Sequence, residues 1–199
     1  MLYCRCANNL TAVQEGDILK TYEIVLSALF VALIAIGAKI QIPVPLVPFT
    51  LQFLFTMLAG LLLGARLGSI SVASYVFCGL VGLPVFSEGG GPGYIFNPTF
   101  GYLVGYALAT YATGYFAYKT SNPNYLDLLI ANFIGLAILY FCGTIYCYFI
   151  SNFYLGMPIT LHTLFLYCFL LPIPGDIALC FLAAYLVEKM LPHIKLQRR

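Results

Sequence analysis

GLPVFSEGGGPGYIFNPTFGYLVGY, residues 82–106, is the stretch on which the reading of this chain turns. Gly89, Gly90, Gly91 and Gly93 permit backbone angles closed to other residues, and Pro84, Pro92 and Pro98 interrupt regular helix. Apolar runs stand on both sides. A polar, non-helical loop between such runs is tolerated at a membrane only where it meets water or protein. The stretch is therefore expected to form one wall of a small-molecule site. Asp176, in Pro174-Gly175-Asp176, is expected on another wall.

The rest of the composition supports a membrane setting. Of 199 residues, 62% are hydrophobic and 8% are charged, and the mean hydropathy is +0.95. A soluble domain carries about 25% charged residues. The chain reads as an all-α integral membrane protein. At roughly 20 apolar residues per transmembrane helix, its length accommodates a bundle of about six spans and no soluble domain. A net charge of +2 gives no reason to expect nucleic acid. Cys78, Cys142, Cys147, Cys168 and Cys180 lie in apolar runs, where cysteine acts as a small hydrophobe. Cys4 and Cys6 have no second ligand pair, so no metal site is expected.

Residues 1–18 lack the apolar core and cleavage site of a signal peptide and read as an N-terminal tail. The membrane domain is expected over 19–191, and a basic tail over 192–199. Its expected spans are Leu19–Ala38, Thr50–Gly64, Ser69–Leu83, Thr99–Tyr118, Leu126–Ile150 and Gly175–Leu191. Lys39–Phe49, with Pro43, Pro45 and Pro48, reads as an extended loop. Gly64–Gly68 reads as a tight turn and Ser151–Pro158 as a polar loop. Ile159–Leu171 is too short to cross, and Pro172-Ile173-Pro174 is expected to break it.

Charge orients this layout. Arg5, Lys20, Arg66, Lys119, Lys189, Lys195, Arg198 and Arg199 fall on the side of the two termini, with Lys39 alone opposite, accounting for all nine cations. The positive-inside rule makes the terminal side cytoplasmic. The proline-rich loop, the glycine-rich loop and the Pro-Gly-Asp segment then meet on the outer face.

Asp176 carries the sharpest signal. A carboxylate at bilayer depth costs about 2.5–3.5 kcal/mol on insertion scales and marks a site by default. The competing reading is an N-cap for the last helix. Asn97 and Thr99 either start a helix or direct polar groups into the site. Thr50 and Gln52 either bind a ligand or hold loop backbone. Lys39 either pairs with an anion or reaches a lipid headgroup. Tyr102 belongs to an aromatic cluster with Tyr94, Phe96, Phe100 and Tyr106, suited to an apolar pocket wall. Glu88 reads as solvated. Enzyme readings find no support: Asp127 is the other candidate acid for a protease dyad and sits at a cytoplasmic turn, no Gly-x-Ser-Gly turn occurs, and no phosphate-binding loop occurs.

In order along the chain stand Pro48-Phe49-Thr50-Leu51-Gln52, Leu58–Gly64 (LAGLLLG), Gly79–Phe86 (GLVGLPVF), Gly89–Tyr106 and Pro172-Ile173-Pro174-Gly175-Asp176. Over about residues 20–191 this ordered set resembles the BioY family, the biotin-binding substrate subunits of energy-coupling-factor (ECF) vitamin transporters. The resemblance implies a six-helix bundle with biotin bound near the outer face and no cofactor. It implies a coupling transmembrane protein and two ABC-type ATPases as partners in a prokaryotic cell membrane. Ala28 and Ala32 match the Ala-xxx-Ala face on which the coupling protein docks. Asp176 would accept from the ureido N–H groups of biotin and Asn97 would donate to its carbonyl. Gln52, Thr50, Tyr102 and Lys39 would complete the site. One departure is that the family usually carries lysine three residues after this aspartate, where Leu179 stands. That departure leaves a different vitamin or a biotin precursor as the alternative ligand. An intramembrane enzyme or a structural membrane protein is the alternative from another class.

Overall fold

The structure, a computed structural model, describes residues 3–42, 47–120, 123–156 and 159–191, with side chains from Thr21 onward in the first segment. Its main elements are α1 (Tyr3–Lys39), a hairpin of β1 (Gln41–Ile42) and β2 (Phe49–Thr50), α2 (Gln52–Leu80), α3 (Phe100–Ala117), α4 (Tyr125–Phe149), α5 (Leu161–Phe165) and α6 (Ile173–Met190). Four stretches, Thr21–Lys39, Gln52–Leu80, Tyr125–Tyr154 and Leu161–Met190, are long and apolar enough to cross a membrane. The chain is a mostly helical membrane protein, as composition requires.

Four boundaries differ from the sequence reading. α1 starts at Tyr3, so the segment expected as a separate tail continues the first helix. No proline occurs between Tyr3 and Lys39 to stop it. The turn expected over Gly64–Gly68 is made by Gly64 alone, at φ 83° and ψ 178°. That positive φ is open to glycine and strained for other residues. A Cβ on Gly68 would stand 2.8 Å from the Ala59 carbonyl oxygen. In a straight helix nine residues would separate them by about 13 Å. The second limb of α2 therefore runs back along the first. The Tyr118 hydroxyl, at the end of α3, fixes this bend by donating to Leu61 O at 2.6 Å.

The third difference is at the end of α4. A π-helical turn over Ile150–Tyr154 prolongs it through the segment expected as a polar loop. The fourth is at Pro172-Ile173-Pro174, which reroutes a helix without breaking it. α5 passes into a π turn over Leu166–Leu170, in which Leu171 N donates to Leu166 O at 3.0 Å. Asp176 N then donates to Pro172 O at 3.1 Å. The widened turn carries the chain past two proline nitrogens that have no hydrogen to donate.

The hairpin pairs Gln41 with Thr50 and Ile42 with Phe49, giving the expected extended loop a fixed register. Pro43 and Pro45 lie outside the described residues. A Cβ on Gly175 would meet the Phe49 ring at 2.5 Å, so glycine lets β2 lie against the start of α6. The glycine-rich segment is also more regular than expected. Phe86 and Gly89 pair as a bridge, Pro92–Phe96 forms a 3-10 turn, and Gly91 N donates to Gly79 O at 2.7 Å. Asp127, the second acid of the rejected protease reading, caps α4: its Oδ2 accepts from Asn124 N at 3.0 Å.

The π turn brings buried Cys168 against buried Cys147 of α4, with their Sγ atoms 3.6 Å apart. Oxidation with copper phenanthroline should therefore join the peptides carrying residues 147 and 168 within one chain, and Cys168→Ser should abolish the product. Peptide mapping that finds both thiols still alkylatable, or paired elsewhere, contradicts this packing.

Candidate ligand-binding site

Asp176 sits in the first turn of α6, where proline is tolerated and an acid is favoured by the helix dipole. It does not cap the helix. Its side chain turns toward α4, where Oδ2 accepts from the Tyr140 hydroxyl at 2.5 Å. The residue is only 7% exposed. Among the described residues Oδ1 accepts no hydrogen bond and no cation stands beside the carboxylate. Leu179, one helical turn on, is half-buried and apolar. The group is thus a buried acceptor with one oxygen engaged and the other available.

Aromatic rings hold this carboxylate in place. Tyr140 stands edge-on to Tyr102 (centroids 6.2 Å, 88°) and to Phe169 (5.3 Å, 76°). The Tyr102 hydroxyl donates to Cys168 O at 2.8 Å, tying α3 to the π turn before α6. Its ring lies over Gly143 with no space there for a side chain. Tyr106, one helical turn beyond Tyr102, is buried with Asp176 and Tyr94 as electrostatic neighbours and its hydroxyl on Thr50. Thr50 is itself buried at the end of β2. Asp176, Tyr102 and Thr50 thus converge through Tyr140 and Tyr106.

Gln52, the first residue of α2, is 3% exposed. Its Nε2 is buried without an acceptor. The Tyr75 hydroxyl lies beside this side chain but donates to Val85 O at 3.1 Å. Asn97 is committed within its own loop. Its Oδ1 accepts from Thr99 N at 2.9 Å and Thr99 Oγ1 at 2.8 Å, and its Nδ2 donates to Glu88 Oε2 at 2.8 Å. Glu88, expected in solvent, is thus a loop brace. Lys39 is exposed, and its Nζ donates to Phe86 O at 2.7 Å, fastening the end of α1 to the same loop. Tyr146 of α4 fastens the loop from the far side by donating to Ile95 O.

Sequence reasoning missed Tyr140. Its signal is faint but real: Asn132 and Tyr140 lie eight residues apart on one face of an otherwise apolar helix. Both meet α6, Asn132 by donating Nδ2 to Cys180 O at 3.0 Å.

A family model described as the BioY family matches residues 10–196. The chain belongs to the BioY family. It is 45% identical over 170 residues to "Probable biotin transporter BioY" of Lysinibacillus sphaericus, covering 85% of this chain and 87% of that one. It is 30% identical over 175 residues to "Biotin transporter BioY" of Lactococcus lactis subsp. cremoris, covering 85% and 88%. A crystal structure of "the S-component for biotin from an ECF-type ABC transporter" superposes with a TM-score of 0.78 at 30% identity, covering 90% of this chain and 95% of that one. These relatives are named as transporters or transporter components, in line with the absence of an enzyme motif. The BioY fold thus accounts for the bundle and leaves each side chain's role to be argued from geometry.

Losing the donor to a buried carboxylate costs about 1.5–3 kcal/mol. Tyr140→Phe should lower unfolding stability by that amount. In an Asp176→Asn background, where no charge needs a donor, the same change should cost well under half as much. Equal losses in both backgrounds, measured by thermal unfolding in detergent, contradict the pairing.

Proposed function

We propose that this BioY-family protein is the biotin-binding membrane subunit of an ECF-type importer. The carrying observation is the buried Asp176 carboxylate, with Oδ2 held by Tyr140 and Oδ1 open to a ligand donor. The ureido ring of biotin offers N–H donors to such an acceptor. Burying those donors unpaired would cost about 1–3 kcal/mol each, so pairing them confers selectivity. The thiophane ring and valeryl chain would lie on the apolar and aromatic surfaces around Tyr102 and Tyr106. Thr50 would position Tyr106, and Lys39 and the loop backbone would meet the acidic end.

The wider assembly follows the same reading. α1, the two limbs of α2, α3, α4 and residues 161–190 give six crossings. Both ends of the chain then lie on the cation-rich side, in the cytoplasm of a prokaryotic cell. Ala28 and Ala32 are exposed on α1 and four residues apart, a small-residue face that lets another helix come close. The coupling protein would dock there and two ABC-type ATPases would drive transport. Leu179 favours one second reading, a biotin precursor that keeps the ureido ring. Competition by desthiobiotin stronger than by biotin would support it.

Two experiments test the proposal. Asp176→Ala should weaken biotin binding by about 10- to 100-fold in calorimetry. Unchanged binding would falsify the site. Replacing Ala28 and Ala32 with leucine should abolish co-purification with the coupling protein while leaving biotin affinity within about twofold. Intact co-purification removes the docking role.

A further inference from the structure

We infer that Gln52, rather than Asn97, is the side-chain donor to the ligand's ureido carbonyl. This rests on the biotin reading above and refines it. A cyclic urea needs an acceptor for its N–H groups and a donor for its C=O. The acceptor is Asp176 Oδ1. The donor must be an N–H or O–H that the folded protein has not already used.

Among the described residues, the buried side-chain atoms without a hydrogen-bond partner are Gln52 Nε2, Asn132 Oδ1 and Thr144 Oγ1. Asn132 Oδ1 is an acceptor, and it lies eight residues, about 12 Å, along α4 from Tyr140. Its amide already donates to Cys180 O. Thr144 is four residues beyond Tyr140, and its neighbour is the Tyr102 hydroxyl rather than Asp176. Gln52 is different in kind. It is a donor, it begins α2, and it directly follows the hairpin strand whose Phe49 ring covers Gly175 beside Asp176. Gln52 neighbours Tyr75 while Asp176 neighbours Tyr106, and those two tyrosines neighbour each other. A buried amide without an acceptor is costly unless something supplies one. The bound carbonyl supplies it. Asn97 has no comparable vacancy, because Glu88 and Thr99 occupy both ends of its side chain.

The test compares biotin with 2-thiobiotin, whose C=S has the same shape and N–H donors but accepts hydrogen bonds poorly. Wild type should prefer biotin by about 5- to 150-fold. Gln52→Met keeps side-chain length and removes the donor. It should weaken biotin by a similar factor, change thiobiotin less than about threefold, and so erase the preference. Asn97→Ala should shift both ligands equally and preserve the preference.

If Gln52→Met keeps the wild-type preference, the inference is wrong while the biotin reading stands. If wild type binds neither ligand, both fall. A second measurement covers a variant that does not fold. Infrared difference spectra of wild type with 13C-labelled ureido carbonyl should show a C=O stretch lowered by a donor. A frequency matching the unbonded carbonyl overturns the assignment.

Discussion

The hydrogen bond from Tyr140 to Asp176 is the interaction on which the rest of this structure depends. A carboxylate among apolar helices is expensive wherever it sits. Here its position is fixed by α6, its donor comes from α4, and the rings flanking that donor come from α3 and from the π turn ahead of α6. Moving any of these elements would leave a buried charge without its donor. The polar group that makes the site useful thereby also fixes the register of the helices around it.

The glycines serve the same end. Gly175 admits the Phe49 ring beside Asp176, and Gly143 admits the Tyr102 ring that meets Tyr140. Gly64 folds α2 back on itself, so that the chain returns to the glycine-rich loop at the end where α2 began. Close backbone approach in a membrane relies on small residues, because lipid gives helices no strong hydrophobic reason to associate. The loop is then held from three directions, by Lys39 of α1, Tyr75 of α2 and Tyr146 of α4. It behaves as a braced wall.

Much of this was legible in the sequence, for identifiable reasons. The hydrophobic excess required a membrane, and the motifs from Pro48 to Asp176 carried the family. Asp176 stood out because an acid in an apolar run has few structural excuses. What was not legible depended on partners far apart in sequence. Tyr140 is one of 16 tyrosines, and only packing against α6 distinguishes it. Asn97 read as a ligand donor because its contact with Glu88 closes only when the loop folds. The proline segment read as a break because a π turn leaves no local sequence mark. The tail reading failed because composition alone does not reveal a helix continuing to Tyr3.

The most direct measurement is an experimental structure of the purified protein with biotin bound. The account predicts a ureido nitrogen within hydrogen-bonding distance of Asp176 Oδ1, with the Tyr140 hydroxyl still on Oδ2. A ligand seated elsewhere, or an Asp176 facing no ligand atom, would contradict it.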